Sequence, residues 1–241
     1  PTEEAAKTAF KLGEIDSITE LNDVSPFDSW PTVEVNQNIH SDRYTAIMFN
    51  MNTQNADLKT KQIRQGLAYA IKDKSFGYQR TVSTIPATSW AFNPSVKTYD
   101  YDEGRAKEYL DREKNSPPLK FTLTTTSNLY SIAEKIVSDW AVFGVEAEIS
   151  VVNELPETID VLLAIREIPA DPDQYSVWHS TQVDPRLGYQ NPKIDKLIED
   201  GRKTIDIEER RKIYQDFQRF LNEDVPAIFL YHPTTYSINR K

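Results

Sequence analysis

Apolar positions along the chain change their spacing several times, and each change marks an element. Residues 3 to 12 carry Ala5, Ala6, Ala9, Phe10 and Leu12, a short helix that Gly13 can end in a left-handed cap. "EIDSI" then has the look of a short strand. Residues 22 to 43 are polar and interrupted by Pro26 and Pro31, which predicts an irregular connection. "YTAIMFNMN", residues 44 to 52, is a strongly apolar strand. Ile63, Leu67, Ala70 and Ile71 then form a stripe of helical period, with Asp57 as its start and Gly77 beyond its end.

The segment "VSTIPATSWAFNP" is irregular, because Pro86 and Pro94 force extended backbone before them. Asp102 can cap a short helix running to Leu110, which Pro117 and Pro118 close off. "LKFTLTTTS" is a β-rich run. Ser127 or Asn128 then caps a helix whose stripe is Ile132, Ile136, Val137 and Trp140, ended by Gly144. "VEAEISVV" alternates as a half-buried strand does, whereas "DVLLAI", residues 160 to 165, is continuously apolar and suits a strand covered on both faces. Asn191 before Pro192 opens a helix with Ile194, Leu197 and Ile198 inward. Asp206 and Glu209 form a capping box for the next, with Ile213, Phe217, Phe220 and Leu221 buried. "AIFLYHP" and "TTYSINR" finish as strands. Strands alternate with helices, so the fold class is α/β, a mixed sheet flanked by helices.

Composition narrows the chemistry. The 241 residues hold 37 acidic and 28 basic side chains, a net charge of −9, which disfavours binding to a nucleic-acid backbone. No apolar run approaches the roughly 18 residues of a membrane span. The chain begins with proline and has neither a basic start nor an apolar leader, as expected of a chain whose beginning lies upstream. Cysteine is absent, which excludes disulfides, cysteine-ligated zinc and thiol nucleophiles. None of the seven glycines forms a Gly-rich strand-to-helix turn, so dinucleotide and phosphate-loop fingerprints are missing and no cofactor is expected.

Chemistry concentrates in "YSVWHSTQVDPRLGYQNPKID", residues 175 to 195. A hydrolase built on Ser180 and His179 lacks the flanking glycines of a nucleophile elbow. The three histidines, His40, His179 and His232, are too far apart in sequence to suggest a metal site. The carboxylates of "ADPDQY", residues 170 to 175, fit a turn around Pro172 better than a calcium loop. Tyr175, Trp178 and Tyr189 are either core aromatics or, given their polar neighbours, ligand contacts. Arg166 and Glu167, at the end of "DVLLAI", either face a crevice at a strand end or form a solvated pair.

Four ordered stretches carry a family resemblance. "FNMNTQNADLKTKQIRQGLAYAIKDKS", "TYDYDEGRAKEYL", "DPDQYSVWHSTQ" with the following "GYQNPKIDKLIEDGRKTIDIEERRKIYQDFQRFL", and "EDVPAIFLYHP" resemble the bacterial extracellular solute-binding proteins of family 5, the oligopeptide- and dipeptide-binding components of ABC importers. The resemblance implies one lobe of a type II periplasmic-binding-protein fold and no catalysis. Residues 1–43 would be the tail of a first lobe and a crossing segment, 44–225 the second lobe, and 226–241 closing strands returning toward the first lobe, most of which lies outside this sequence. It also implies capture of a peptide or similar small solute between lobes, with ABC permease subunits as partners. The implied location is extracytoplasmic, with a lipid anchor outside this chain. Arg166, Glu167, Tyr175, Trp178, His179 and Tyr189 are the implied ligand contacts. In peptide binders of this family an acidic residue after the apolar strand pairs with the peptide's amino terminus. Glu167 takes that place here, although Ile168 and Pro169 stand beside it. A ligand-sensing domain without transport, and the hydrolase, are the alternatives.

Overall fold

The computed structural model describes residues 2–111, 117–169 and 171–241. Its centre is a six-stranded mixed sheet. Strand β3 (Arg43–Phe49) lies between β7 (Val161–Glu167) and β8 (Ala227–His232), antiparallel to both. Beyond β7 come β5 (Lys120–Thr125) and β6 (Glu146–Val151), which run parallel to each other, with β5 also parallel to β7; the two-residue β4 (Gln79–Arg80) flanks β8.

The apolar run in β3 exists because both its faces are covered. Ile47 and Phe49 point into a core formed with α3 (Lys61–Ala70), α4 (Glu103–Leu110) and α5 (Tyr130–Ala141). Tyr44, Ala46 and Met48 point into a second core with α7 (Pro192–Lys203) and α8 (Ile207–Asp224). Side chains alternate along a strand, so a strand buried on both sides shows no polar alternation in sequence. Trp140 of α5 is fully buried, and its Nε1 donates to the Leu67 carbonyl at 2.9 Å, tying α5 to α3.

A smaller antiparallel sheet, β1 (Ser17–Leu21), β9 (Thr234–Arg240) and β2 (Val33–Ile39), packs with α1 (Glu3–Leu12) around Phe10, Phe27 and Ile238. Gly13 ends α1 at φ 78°, the left-handed cap the sequence suggests. The strand expected at "EIDSI" forms at Ser17–Leu21 instead. More substantially, residues 33–39 are not irregular. They pair with β9 over seven positions, from Val33 opposite Arg240 to Ile39 opposite Thr234. Only Val33 of this strand is buried, so "VEVNQNI" has too little apolar signal to be seen before its distant partner is known. The large sheet also keeps β8, which was grouped by sequence with the closing strands from 226 onward; only β9 leaves that sheet.

Capping follows the sequence in three places. Asp102, Asn191 and Asp206 accept backbone N–H bonds from Arg105, Lys193 and Glu209 at 2.9, 3.0 and 2.9 Å. Two other starts differ. Ser127 and Asn128 lie in a 3-10 turn, and α5 begins at Tyr130 with no side-chain cap. The helix expected from Asp57 to Ile71 is split at Thr60 into α2 (Ala56–Lys59), capped by Asn55, and α3. At the break Arg64 Nη1 donates to the Leu58 and Lys59 carbonyls at 3.0 and 2.7 Å, satisfying acceptors that an unbroken helix would use internally.

Candidate functional site

Strand β7 ends in Arg166 and Glu167, and Ile168 donates its backbone N–H to the Asp42 carbonyl at 2.7 Å, which fixes where the strand stops. Nearby, Asp173 Oδ1 accepts the Tyr175 N–H at 3.0 Å and starts the one-turn helix α6 (Tyr175–Trp178). The Asp184 carboxylate then turns the chain, accepting the Arg186 N–H at 3.0 Å. The segment continues to Gly188, whose φ of 58° and close approach to the Asn52 side chain both exclude a Cβ: one would lie 2.1 Å from Asn52 Nδ2. Met51 donates its N–H to the Leu187 carbonyl at 2.7 Å and seats this strap on the sheet end.

Between β7, α6 and the strap lies a cavity of about 560 Å³, within the ordinary range of small-ligand sites. Its floor is aromatic. Trp178 is 3% exposed, packs edge-on to Tyr189 and Phe229, and donates from Nε1 to Thr84 Oγ1 at 3.2 Å. Tyr44 is fully buried beside it, with its hydroxyl against Thr84. Burial pushes the Tyr44 phenol above its ordinary pKa, so the hydroxyl stays protonated.

The rim is charged. Arg186 forks onto Asp184 with Nε–Oδ1 at 2.9 Å and Nη2–Oδ2 at 2.8 Å, and Arg166 Nη2 stands 3.9 Å from the same carboxylate. The Arg186 fork holds the Asp184 carboxyl below its usual range, with Arg166 adding to the effect. Two guanidiniums thus share one carboxylate, and Arg166 retains much of its donor capacity. Glu167 is exposed on the rim and carries no ion pair among the described residues.

Of the six expected contacts, Arg166, Glu167 and Trp178 line this cavity; Tyr175, His179 and Tyr189 do not. Helical geometry accounts for the first two exceptions. Residues 175 and 179 are four apart around the turn of α6 and share a face that looks toward α7, leaving Ser176 and Val177 on the cavity side. Tyr175 stacks on His179 at 4.2 Å with the Arg202 guanidinium 4.3 Å from the Tyr175 ring centroid. Tyr189 is core packing under Trp178, with Asn191 Nδ2 3.4 Å from its hydroxyl. Sequence reasoning missed Tyr44, which reads only as a strand residue. It also missed the Asp184–Arg186 fork, signalled by a charge two residues after a turn-forming aspartate.

The suspected hydrolytic pair is not assembled. The His179 ring nitrogens meet Thr181 Oγ1 at 2.9 Å and Glu199 Oε1 at 3.4 Å, and Ser180 donates its backbone N–H to Asp195. Asp171 and Asp173 serve the turn expected around Pro172 and are engaged by Arg210 and Arg202; Ala170 lies outside the described residues. No cluster of three or more metal-ligating side chains exists among the described residues.

The fold is a mixed α/β body that ends in an aromatic-floored cavity with charges of both signs. The chain belongs to the bacterial extracellular solute-binding proteins of family 5: residues 1–184 match the family described as "Bacterial extracellular solute-binding proteins, family 5 Middle". Members of this family are binding proteins. The oligopeptide-binding protein AppA of Bacillus subtilis is 26% identical over 79% of this chain and 42% of its own length. The nickel-binding periplasmic protein of Escherichia coli is 26% identical over 95% of this chain and 50% of its own. Among solved structures, AppA of Bacillus subtilis in complex with a nonapeptide superposes with a TM-score of 0.83 at 21% identity, covering 100% of this chain and 55% of AppA. NikZ from Campylobacter jejuni in complex with Ni(L-His) gives 0.83 at 26% identity, covering 99% of this chain and 55% of NikZ. The chain therefore spans about half the length of the curated relatives it matches.

Proposed function

We propose that this chain is a ligand-binding lobe of the solute-binding subunit of an ABC importer, and that its cargo is a peptide or a comparable zwitterionic solute. The observation that carries the reading is the rim: an unpaired carboxylate, Glu167, adjoins an under-compensated guanidinium, Arg166, over a floor of Trp178 and Tyr44. Glu167 supplies an acceptor for an ammonium group and Arg166 a fork for a carboxylate, each a charge-assisted bond. Trp178 offers apolar area.

Closure against a second lobe would exclude water from these charges and strengthen them. In this reading the closed form engages the permease, and differential affinity for the closed form is what moves the equilibrium. The role requires no bond breaking. Lipid anchoring through a segment outside this chain belongs to the same proposal. Relatives named for nickel favour a second cargo class, a metal chelate. Here the absence of a metal-ligating cluster among the described residues means that the chelator, rather than protein side chains, would hold the ion.

The test is mass spectrometry of what co-purifies with the full-length polypeptide, followed by calorimetry with peptides and with Ni(L-His). Peptide binding that weakens at least tenfold in both Glu167→Gln and Arg166→Leu supports the reading. Peptide affinity unchanged in both variants refutes it.

A further inference from the structure

On the opposite face of the large sheet, at its β4 edge, lies a second cavity of about 220 Å³. At roughly 30 Å³ per water this is space for a small polyatomic group. Lys74 lines it while being only 5% exposed, and among the described residues its ammonium has one hydrogen-bond partner, the Ile71 carbonyl at 2.9 Å. Arg80 lines it too. Its guanidinium is held by neutral acceptors only: the Phe229 and Leu230 carbonyls at 2.6 and 2.7 Å and the Thr98 carbonyl at 3.4 Å. Neither cation has an ion pair within 4.0 Å among the described residues.

The carboxylates around Lys74 are Asp73, Asp100 and Asp139, and the first two line the cavity with it. Lys72 pairs with Asp139 of α5 at 3.5 Å. Asp73 accepts the Ser75 N–H and hydroxyl at 2.8 and 2.6 Å. Asp100 accepts the Thr98 hydroxyl at 2.8 Å. Buried Lys74 and half-buried Arg80 thus face a polar void lined also by Ser75, Tyr101 and the Asp73 and Asp100 carboxylates, neither of which comes within 4.0 Å of either cation. Burying an unpaired ammonium is costly, and a void of this polarity beside it suits a counter-anion.

We propose that the cavity between Lys74 and Arg80 is an anion site that takes one oxyanion or carboxylate group. Asp73 and Asp100 at its rim repel a second negative charge and restrict it to a single small group. The group comes as a small free anion, such as inorganic phosphate or a simple carboxylate. Burial, with the Arg80 charge adding to it, lowers the Lys74 ammonium to about 7, so anion binding at neutral pH draws a proton onto Lys74. The site lies on the far side of the sheet from Trp178 and is independent of the cargo reading.

Thermal unfolding of the chain in phosphate, sulfate or acetate, against chloride at equal ionic strength, tests this. At ten times the dissociation constant, binding raises Tm by roughly 3 to 5 °C. The rise is expected in wild type and absent in Lys74→Met. Phosphate and sulfate acting without acetate identifies a tetrahedral oxyanion, and acetate acting alone identifies a carboxylate. A wild-type readout covers failure of the variant to fold: in lysine-labelled NMR, the effective anion moves the Lys74 titration to higher pH. A Tm response equal to that in chloride, a response retained in Lys74→Met, or an unmoved Lys74 titration overturns the proposal.

Discussion

Replacing Arg64 by methionine should cost this protein a large share of its stability. The Arg64 side chain is 3% exposed and donates to four backbone carbonyls: Leu58 and Lys59 at the end of α2, and Asp224 and Val225 at the end of α8, at 2.7–3.0 Å. It also stands 3.7 Å from the Asp224 carboxylate. Both helix ends present partial negative charge, so one cation staples two C-termini. Burial pushes the guanidinium down from its ordinary pKa, an opposing cost that limits the net gain. Four bonds to a charged donor at about 1 kcal/mol net each, with orphaned carbonyls left behind, put the loss at about 3–5 kcal/mol. For a chain of this length that lowers Tm by roughly 6 to 20 °C. Urea unfolding should show a lower midpoint with an unchanged m-value. Arg219→Met, which breaks exposed pairs with Asp216 and Glu223 and a guanidinium contact with the Phe220 ring, is the control and should change stability by about 1 kcal/mol or less. An Arg64→Met loss below about 1 kcal/mol would refute the staple.

Gly66 sits where α3 meets α4, and a Cβ there would lie 2.8 Å from Leu110 Cγ and 2.9 Å from Tyr109 Cβ. Gly66→Ala should therefore destabilise by about 1–2 kcal/mol despite alanine's better helix propensity, and a denaturation midpoint that rises would contradict this. Trp178→Ala should cost roughly 3–5 kcal/mol and weaken cargo binding, whereas Tyr175→Ala should leave calorimetric affinity within about twofold. Because the folded-state pKa of Asp184 is depressed, its fork with Arg186 stabilises the fold above the ordinary carboxylate pKa of about 4 and is lost as pH falls through the lower folded value. The stability gap between wild type and Asp184→Asn should accordingly close on acidification below about pH 4, and a gap constant to the acid limit would rule out the linkage. The isolated 241-residue chain should bind peptide more weakly than micromolar, because one lobe supplies one wall. Calorimetry giving micromolar or tighter affinity for it would sink the two-lobe reading.

Much of this molecule is determined locally, and there the sequence alone sufficed. Asp102, Asn191 and Asp206 cap their helices because the bonds involved span two or three residues. The continuous apolar run of β7 announces a strand covered on both faces, since that burial is written in its own side chains. Arg166, Glu167 and Trp178 come together at one cavity because a strand end followed by a short turn puts them there. What depended on distant partners was silent. Strand β2 is made a strand by β9, some two hundred residues away, and its exposed Asn and Gln residues carry no signal of that pairing. The break at Thr60 is accompanied by Arg64 reaching back to carbonyls and across to α8, a long-range contact. Tyr175 and His179 turned from the cavity because α6 is helical and Arg202 of α7 takes the other side of their stack. Hydrogen bonds and caps act over a few residues and leave their pattern in the sequence. Which face of an aromatic or a cation meets a cavity is decided only when remote elements pack, and that was left to the tertiary structure.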